Sequence, residues 1–135
     1  MPAALACSLA FFVAACATTT MPTADRVPPG PWGGEGIQLA VTASGATTDF
    51  DCAHGTIDQP LDRDRDGRFS VTGQYVFEHG GPIREGEPPD SHPARYQGQI
   101  TGDSMTLTIT LTDRQQEVGS FTLKREQAGR LRKCL

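Results

Sequence analysis

The sequence predicts an all-β fold: a single small antiparallel meander of seven to eight strands, barrel-like or packed as a sandwich. Three observations predict it. Beyond Gly36, apolar residues recur at every second position in run after run, the period of a half-buried strand. Gly, Pro and Asp turn signals break those runs at spacings expected of sandwiches and barrels. No stretch of the chain sustains a helical period.

Taken in order, the elements begin with an apolar segment. Leu5 to Ala17 is nearly all apolar, and residues 1–17 hold no charged side chain. A membrane-spanning helix needs roughly 20 apolar residues, and this run is shorter. Followed by small residues and a Thr/Pro stretch, it reads as the hydrophobic region of a secretory signal. At its end, Val13-Ala14-Ala15-Cys16 resembles the lipobox of bacterial lipoproteins. The resemblance covers these four residues and implies that residues 1–15 are removed as a signal peptide and that Cys16 is lipidated. It also implies a cell-envelope location. Ala17 in place of Asp after the cysteine resembles the outer-membrane-sorted pattern, with the protein facing the periplasm. The competing reading is a secreted soluble protein cleaved after Ala17, since Ala15-Cys16-Ala17 is also of the Ala-x-Ala kind.

Residues 16–32 read as a tether. Thr18-Thr19-Thr20, Pro22, Pro28-Pro29 and Pro31 leave little to bury, and such composition behaves as a semi-extended linker. The domain is expected over residues 33–135, with Trp32 as the first residue able to dock on it. Ile37, Leu39 and Val41 alternate with polar or small residues, and Ser44-Gly45 follows as a turn. Phe50 and Cys52 share the next face. Thr56-Ile57 is a short run before Pro60-Leu61. Phe69, Val71, Gly73, Tyr75 and Phe77 form the longest clean alternation, and Tyr96, Gly98 and Ile100 follow a loop. Met105, Leu107, Ile109 and Leu111 alternate with Thr106, Thr108, Thr110 and Thr112, a solvated β face of high strand propensity. Phe121 and Leu123 make another strand, and Leu131 to Leu135 a possible last one. The run from Tyr96 to Leu107, with Gly98 and Gly102, is similar to a hairpin of a calycin-like barrel; the likeness is architectural and implies no site.

The chain has 135 residues, with 12 Lys+Arg against 16 Asp+Glu and a net charge of −4. A nucleic-acid-binding domain would be basic, so none is expected as a partner. There is no Asn and therefore no N-glycosylation acceptor. Of four cysteines, Cys7 lies in the signal segment and Cys16 is the lipid acceptor. Cys52 and Cys134 remain as a pair in an oxidising compartment. Joined, they close a loop of roughly 80 residues, which contributes roughly 4–5 kcal/mol in the chain-entropy account.

Asp62 to Gly67 contains Asp-x-Asp-x-Asp-Gly, the opening of a calcium loop. A complete loop has a bidentate Glu at its twelfth position, where this chain has Gly73, so a turn at Asp66-Gly67 is expected instead. The long irregular stretch Glu78–Pro93 carries His79 and His92. With His54 they are metal-site candidates only if the fold brings them together, since their spacing has no metal-ligand logic. A solvated loop is the expectation, and no cofactor is called for. Gly102-Asp103-Ser104 resembles the first block of Gly-Asp-Ser esterases, yet no Asn exists and no His follows the Ser, so no catalytic residue is assigned. Lys124, Arg125, Arg130, Arg132 and Lys133 read as charges blunting an edge strand, or as contacts to anionic headgroups. The chain is therefore read as a non-enzymatic envelope lipoprotein, anchored to the membrane through its lipid, with a binding or scaffolding domain whose partner, an envelope protein or a small ligand, the sequence does not specify. The alternatives are a small-ligand carrier with room beside Gly73 and Gly98, and a metal-binding protein using the 78–93 loop.

Overall fold

The computed structural model describes Cys16 and residues 25–134. The expected signal segment with Cys7, residues 17–24 of the expected tether, and Leu135 lie outside the described residues. Among the described residues ten strands run in chain order: β1 Asp25–Arg26, β2 Gly30–Gly34, β3 Ile37–Val41, β4 Ala46–Phe50, β5 Ala53–Ile57, β6 Asp62–Arg63, β7 Arg68–Phe77, β8 Asp90–Thr101, β9 Ser104–Leu111 and β10 Gln116–Arg125. Eight of them close an antiparallel barrel in the order β10-β2-β3-β4-β5-β7-β8-β9. The barrel, not the sandwich, is the form this meander takes.

Period-two patterning builds the wall. Ile37, Leu39 and Val41 of β3, Phe69, Val71 and Tyr75 of β7, and Met105, Leu107, Ile109 and Leu111 of β9 all point inward and are buried. Their neighbours Ser70, Gln97, Thr106 and Thr122 face water. A membrane-spanning barrel carries its apolar band on the outside; this one carries it inside. The hairpin turn at Gly102-Asp103, between Thr101 and Ser104, has the tight form expected of a two-residue connection, with Gly102 at φ +59°.

The strand β2 corrects the reading of residues 16–32 as linker. Gly30–Gly34 closes the barrel, pairing with β3 on one side and with β10 on the other through Leu123↔Gly34, Lys124↔Gly33 and Arg125↔Trp32. Trp32 is not a docking residue at the margin but a core side chain, 1% exposed. Its glycines serve close approach: a Cβ on Gly33 would lie 2.3 Å from the Gln127 carbonyl oxygen, because the chain at 127–129 crosses directly over it. Even Asp25–Arg26 is structured. It pairs with β6, and the pairs Arg63–Asp25 at 2.9 Å and Arg26–Asp62 at 3.2 Å cross the short ladder.

Two expectations about the C-terminal region are also corrected. Lys124 and Arg125 blunt no edge, because β10 is paired on both sides and the closed wall leaves none. The described residues 131–134 form no strand; a single bridge, Glu35↔Arg130, precedes them.

The antiparallel order gives the barrel two unlike ends. At the end from which the N-terminal segment arrives, Val27 donates its N–H to the Leu61 carbonyl at 2.8 Å. Both side chains are buried and close that end. The far end carries the β7–β8 connection, the 112–115 turn and the C-terminal segment.

Candidate functional site

The far end gathers most of the chemistry-bearing residues. Cys52 and Cys134 are joined there, with Cα atoms 5.2 Å apart, inside the range a disulfide needs. The bond pins the C-terminal segment. Cys134 donates its backbone N–H to the Asp51 carbonyl at 3.2 Å, Arg132 its N–H to Asp51 Oδ1 at 2.7 Å, and Lys133 its ammonium to the Phe50 carbonyl at 2.9 Å and Glu78 at 3.2 Å. Under these lie Phe50, Tyr75 and Phe121. Phe50 meets Tyr75 at 5.1 Å and Phe121 at 5.5 Å between ring centroids, within the favourable range for tilted rings. They floor a depression of about 320 Å³. Burial, with Glu78 nearby, raises the Tyr75 phenol above its usual value.

All three histidines come to this end, yet each is taken separately. His54 Nδ1 bonds Glu78 at 2.8 Å. Burial alone would raise Glu78, but the hydrogen bonds from His54 and Lys133, with their charges, hold it below the usual carboxylate value. His79 bonds the Gly80 carbonyl at 3.0 Å and Glu87 at 3.1 Å, and those two partners raise its pKa. His92 is not a loop residue as expected: it lies in β8, which starts at Asp90, and it is buried. Its Nδ1 meets Asp113 at 2.7 Å and its Nε2 meets Asp90 at 2.9 Å. An ionised carboxylate only accepts, so the doubly protonated ring is the form that satisfies both contacts at once. Its pKa is raised, chiefly by the Asp113 bond and against burial and Arg114. Asp113 is lowered by the same bond. Among the described residues, no three His, Cys, Asp or Glu side chains are placed to hold a metal ion.

The connection 78–89 folds back beside β7 and leaves a cleft of about 230 Å³. Val76, Phe77, Ile83, Pro88 and Pro89 give it apolar walls, and Glu78, Glu87 and Asp90 stand at its margin. Ile83 is 83% exposed, alone in this among the large apolar side chains of the described residues. A second, wider depression of about 590 Å³ lies open on the outer wall over Ser70, Gln97, Gln99, Thr106 and Thr108; it is a shallow polar face.

The barrel interior is occupied. Trp32, Tyr96, Met105, Leu107 and Leu123 are at most 1% exposed. The room expected beside the two glycines is filled: a Cβ on Gly98 would fall 2.2 Å from the Phe69 ring, and one on Gly73 would fall 2.1 Å from the Thr56 carbonyl. Tyr96 donates its hydroxyl to the carbonyl of Gln74 on the adjacent strand β7 at 2.7 Å, and burial pushes its pKa up to about 12. Trp32 Nε1 and Thr48 Oγ1 are buried without a protein partner.

The acidic turn is a turn. Asp64 Oδ1 accepts from the backbone N–H groups of Asp66 and Arg68, both at 2.9 Å, and Gly67 takes φ +77°. The carboxylate a cation would need is already engaged, and Gly73 sits in the barrel wall. Ser104 contacts Lys124 and no histidine.

Reading the sequence overlooked the cleft. A signal for it exists: Ile83 is the sole large apolar residue between Glu78 and Asp90, in a stretch rich in Gly, Pro and Glu. No protein-family model matches the chain, and neither the curated proteins nor the solved structures contain a match to it.

Proposed function

We propose that this chain is a bacterial-type envelope lipoprotein, anchored through Cys16, whose barrel is a non-enzymatic binding or scaffolding domain. The observation that carries the reading is the filled interior. A carrier barrel holds its ligand inside, and here Trp32, Tyr96 and the Phe69 ring over Gly98 take that space. Interaction is thereby left to the outer surface and the ends. A metal-dependent role is not favoured, since the three histidines are engaged apart. Nor is a nucleophilic enzyme: the rings of His54, His79 and His92 bond carboxylates and a carbonyl, not a hydroxyl or thiol to activate. The anchor is supported by Val13-Ala14-Ala15-Cys16 and by Cys16 being exposed and outside the disulfide. Several acyl chains on one cysteine hold firmly, at about 0.8 kcal/mol per buried CH₂.

Intact mass of the membrane fraction tests this. The expected product begins at Cys16 and carries acyl chains, and Cys16→Ser moves the protein to the soluble fraction. A mature chain starting at Thr18 without lipid overturns the anchored reading.

A further inference from the structure

We propose that the depression at the far mouth of the barrel, floored by Phe50, Tyr75 and Phe121 and edged by Glu35 and Asp51, binds a small organic ammonium ion. This rests on the reading of the domain as a binding module and names the place and the chemical class of its ligand.

The two ends of the barrel differ in closure. Val27 and Leu61 shut the near end. At the far end the inward side chains stop at the aromatic rings, and the depression of about 320 Å³ stands over them. Sites that take whole small molecules begin at about 300 Å³ and occur at barrel mouths. Tyr75 supplies an independent sign of a ligand. It lines the depression and is 5% exposed, yet its hydroxyl has no hydrogen-bond partner among the described residues; only burial and the Glu78 charge act on it. A buried tyrosine hydroxyl ordinarily finds a partner, as Tyr96 does in Gln74.

Charge and rings select the ligand. Glu35 and Asp51 line the depression, and no Lys, Arg or His does. Asp51 takes part in no ion pair among the described residues; its Oδ1 accepts the Arg132 backbone N–H at 2.7 Å, a bond that leaves the negative charge in place. Glu35 meets Arg130 only at 4.0 Å with both side chains exposed, and such surface pairs contribute little. Lys133 is taken by the Phe50 carbonyl, Asp49 and Glu78. Gly36 keeps a position open between carboxylate and ring: a Cβ there would lie 3.5 Å from Asp51 Oδ2 and 3.9 Å from the Phe121 ring. Phe121 is half-buried, so part of its ring is free. Aromatic rings and carboxylates both attract a cation. An alkylated ammonium suits the two together, with its charge toward Asp51 and its carbon groups over the floor. An anion is repelled by the same carboxylates.

The test uses the full chain in a non-ionic detergent. Choline is the probe, and its neutral tert-butyl analogue, with carbon in place of nitrogen, is the control. Backbone amide NMR shifts read affinity and place together. Choline is expected to bind saturably and about tenfold or more tighter than the analogue, a difference of about 1.4 kcal/mol. Shifts should centre on Gly36, Asp51, Tyr75 and Phe121, and added salt should weaken binding. Asp51→Asn keeps an acceptor for the Arg132 N–H and removes the charge. It should cost choline about fivefold and the analogue nothing, and Phe121→Leu should cost choline a similar factor; melting curves confirm that both variants fold. Glycerophosphocholine, the deacylated lipid headgroup, carries a phosphate that the carboxylates repel and should bind more weakly than choline; tighter binding would keep the ammonium site and assign it to a lipid headgroup. Equal affinity for choline and the analogue overturns the proposal. So do unchanged choline affinity in both variants, shifts centred on the outer-wall depression or the 78–89 connection, or no saturable binding of millimolar choline. Any of these four, obtained with Cys16 still acylated, removes the site and leaves the anchored domain intact.

Discussion

Breaking the Cys52–Cys134 bond should lower stability far more than the contacts around it suggest. Both cysteines are exposed, so Cys134→Ser leaves no cavity and little native packing is lost. The effect acts on the unfolded chain, where the bond closes a loop across a separation of 82 residues. The chain-entropy account assigns a loop of that length about 4.5 kcal/mol. With an unfolding entropy of about 2.1 cal/mol/K per residue spread over residues 25–134, the midpoint should fall by about 19 °C. Thermal unfolding followed by far-UV circular dichroism, with and without reductant, measures it. Cys134→Ser should match the reduced wild type, its native spectrum should be unchanged, and its denaturant m-value should rise as the unfolded state expands. Asp51→Ala separates bond from contacts, because it removes the acceptor of the Arg132 N–H and keeps the disulfide. A fall below about 5 °C on reduction, or an equal fall in Asp51→Ala, refutes the loop-closure reasoning.

Three further outcomes are expected. His92 has a raised pKa, so its contribution is complete below the ordinary histidine value near 6.5 and is lost as pH climbs through the raised one; Asp113 is lowered, so its share is lost as pH falls through its depressed value. The melting-temperature advantage of wild type over His92→Gln should therefore be greatest between about pH 4 and 6.5 and shrink above, and a flat difference from pH 5 to 9 contradicts the doubly bonded imidazolium. Gly98→Ala should destabilise by about 1–3 kcal/mol through overpacking against Phe69, and Phe69→Leu in the same chain should recover part of that loss; strict additivity in denaturant titrations would show that the two sites do not meet. Neither millimolar calcium nor zinc should raise the melting temperature, because Asp64 is engaged by its own turn and the histidines are paired apart; a saturable shift with either ion would count against that assignment.

The barrel was legible where side chains alternate. Strands β3, β7 and β9 announce themselves because every second residue must be apolar to fill the interior. The disulfide was legible because two cysteines remained once Cys7 and Cys16 had been read as belonging to a signal and an anchor. The strand β2 was hidden by its composition. Gly30-Pro31-Trp32-Gly33-Gly34 reads as linker, yet the glycines are there because the 127–129 segment and β10 press onto that strand, a packing demand that leaves no periodic trace. His92 was misplaced for a related reason. Pro93 discourages a strand assignment, but it sits opposite Gln74 just before β8 begins to pair with β9 at Ala94, where no ladder bond from its nitrogen is required. The basic C-terminal charges were misread because sequence does not reveal whether a sheet has edges; closure does. Nor does spacing along the chain reveal how three histidines divide among four carboxylates on three different segments.

The placement of β1 has a consequence for reach. With Cys16 acylated, the nine steps from Cys16 to Asp25 extend at most about 3.3–3.6 Å each, or about 30 Å. The Asp25–Arg63 and Arg26–Asp62 pairs then fasten the chain to one end of the barrel. Strands of ten and twelve residues such as β7 and β8, tilted as barrel strands are, add about 25–30 Å of height. The far end of the barrel would travel in a layer no more than about 60 Å above the bilayer. A partner held in the same membrane meets it at the effective concentration of that thin shell, and a freely diffusing competitor gains nothing from it. Beyond the length that matches the span, the advantage falls roughly as the −3/2 power of tether length. Residues inserted between Cys16 and Asp25 would then weaken capture of a membrane-held partner without touching a single contact in the barrel.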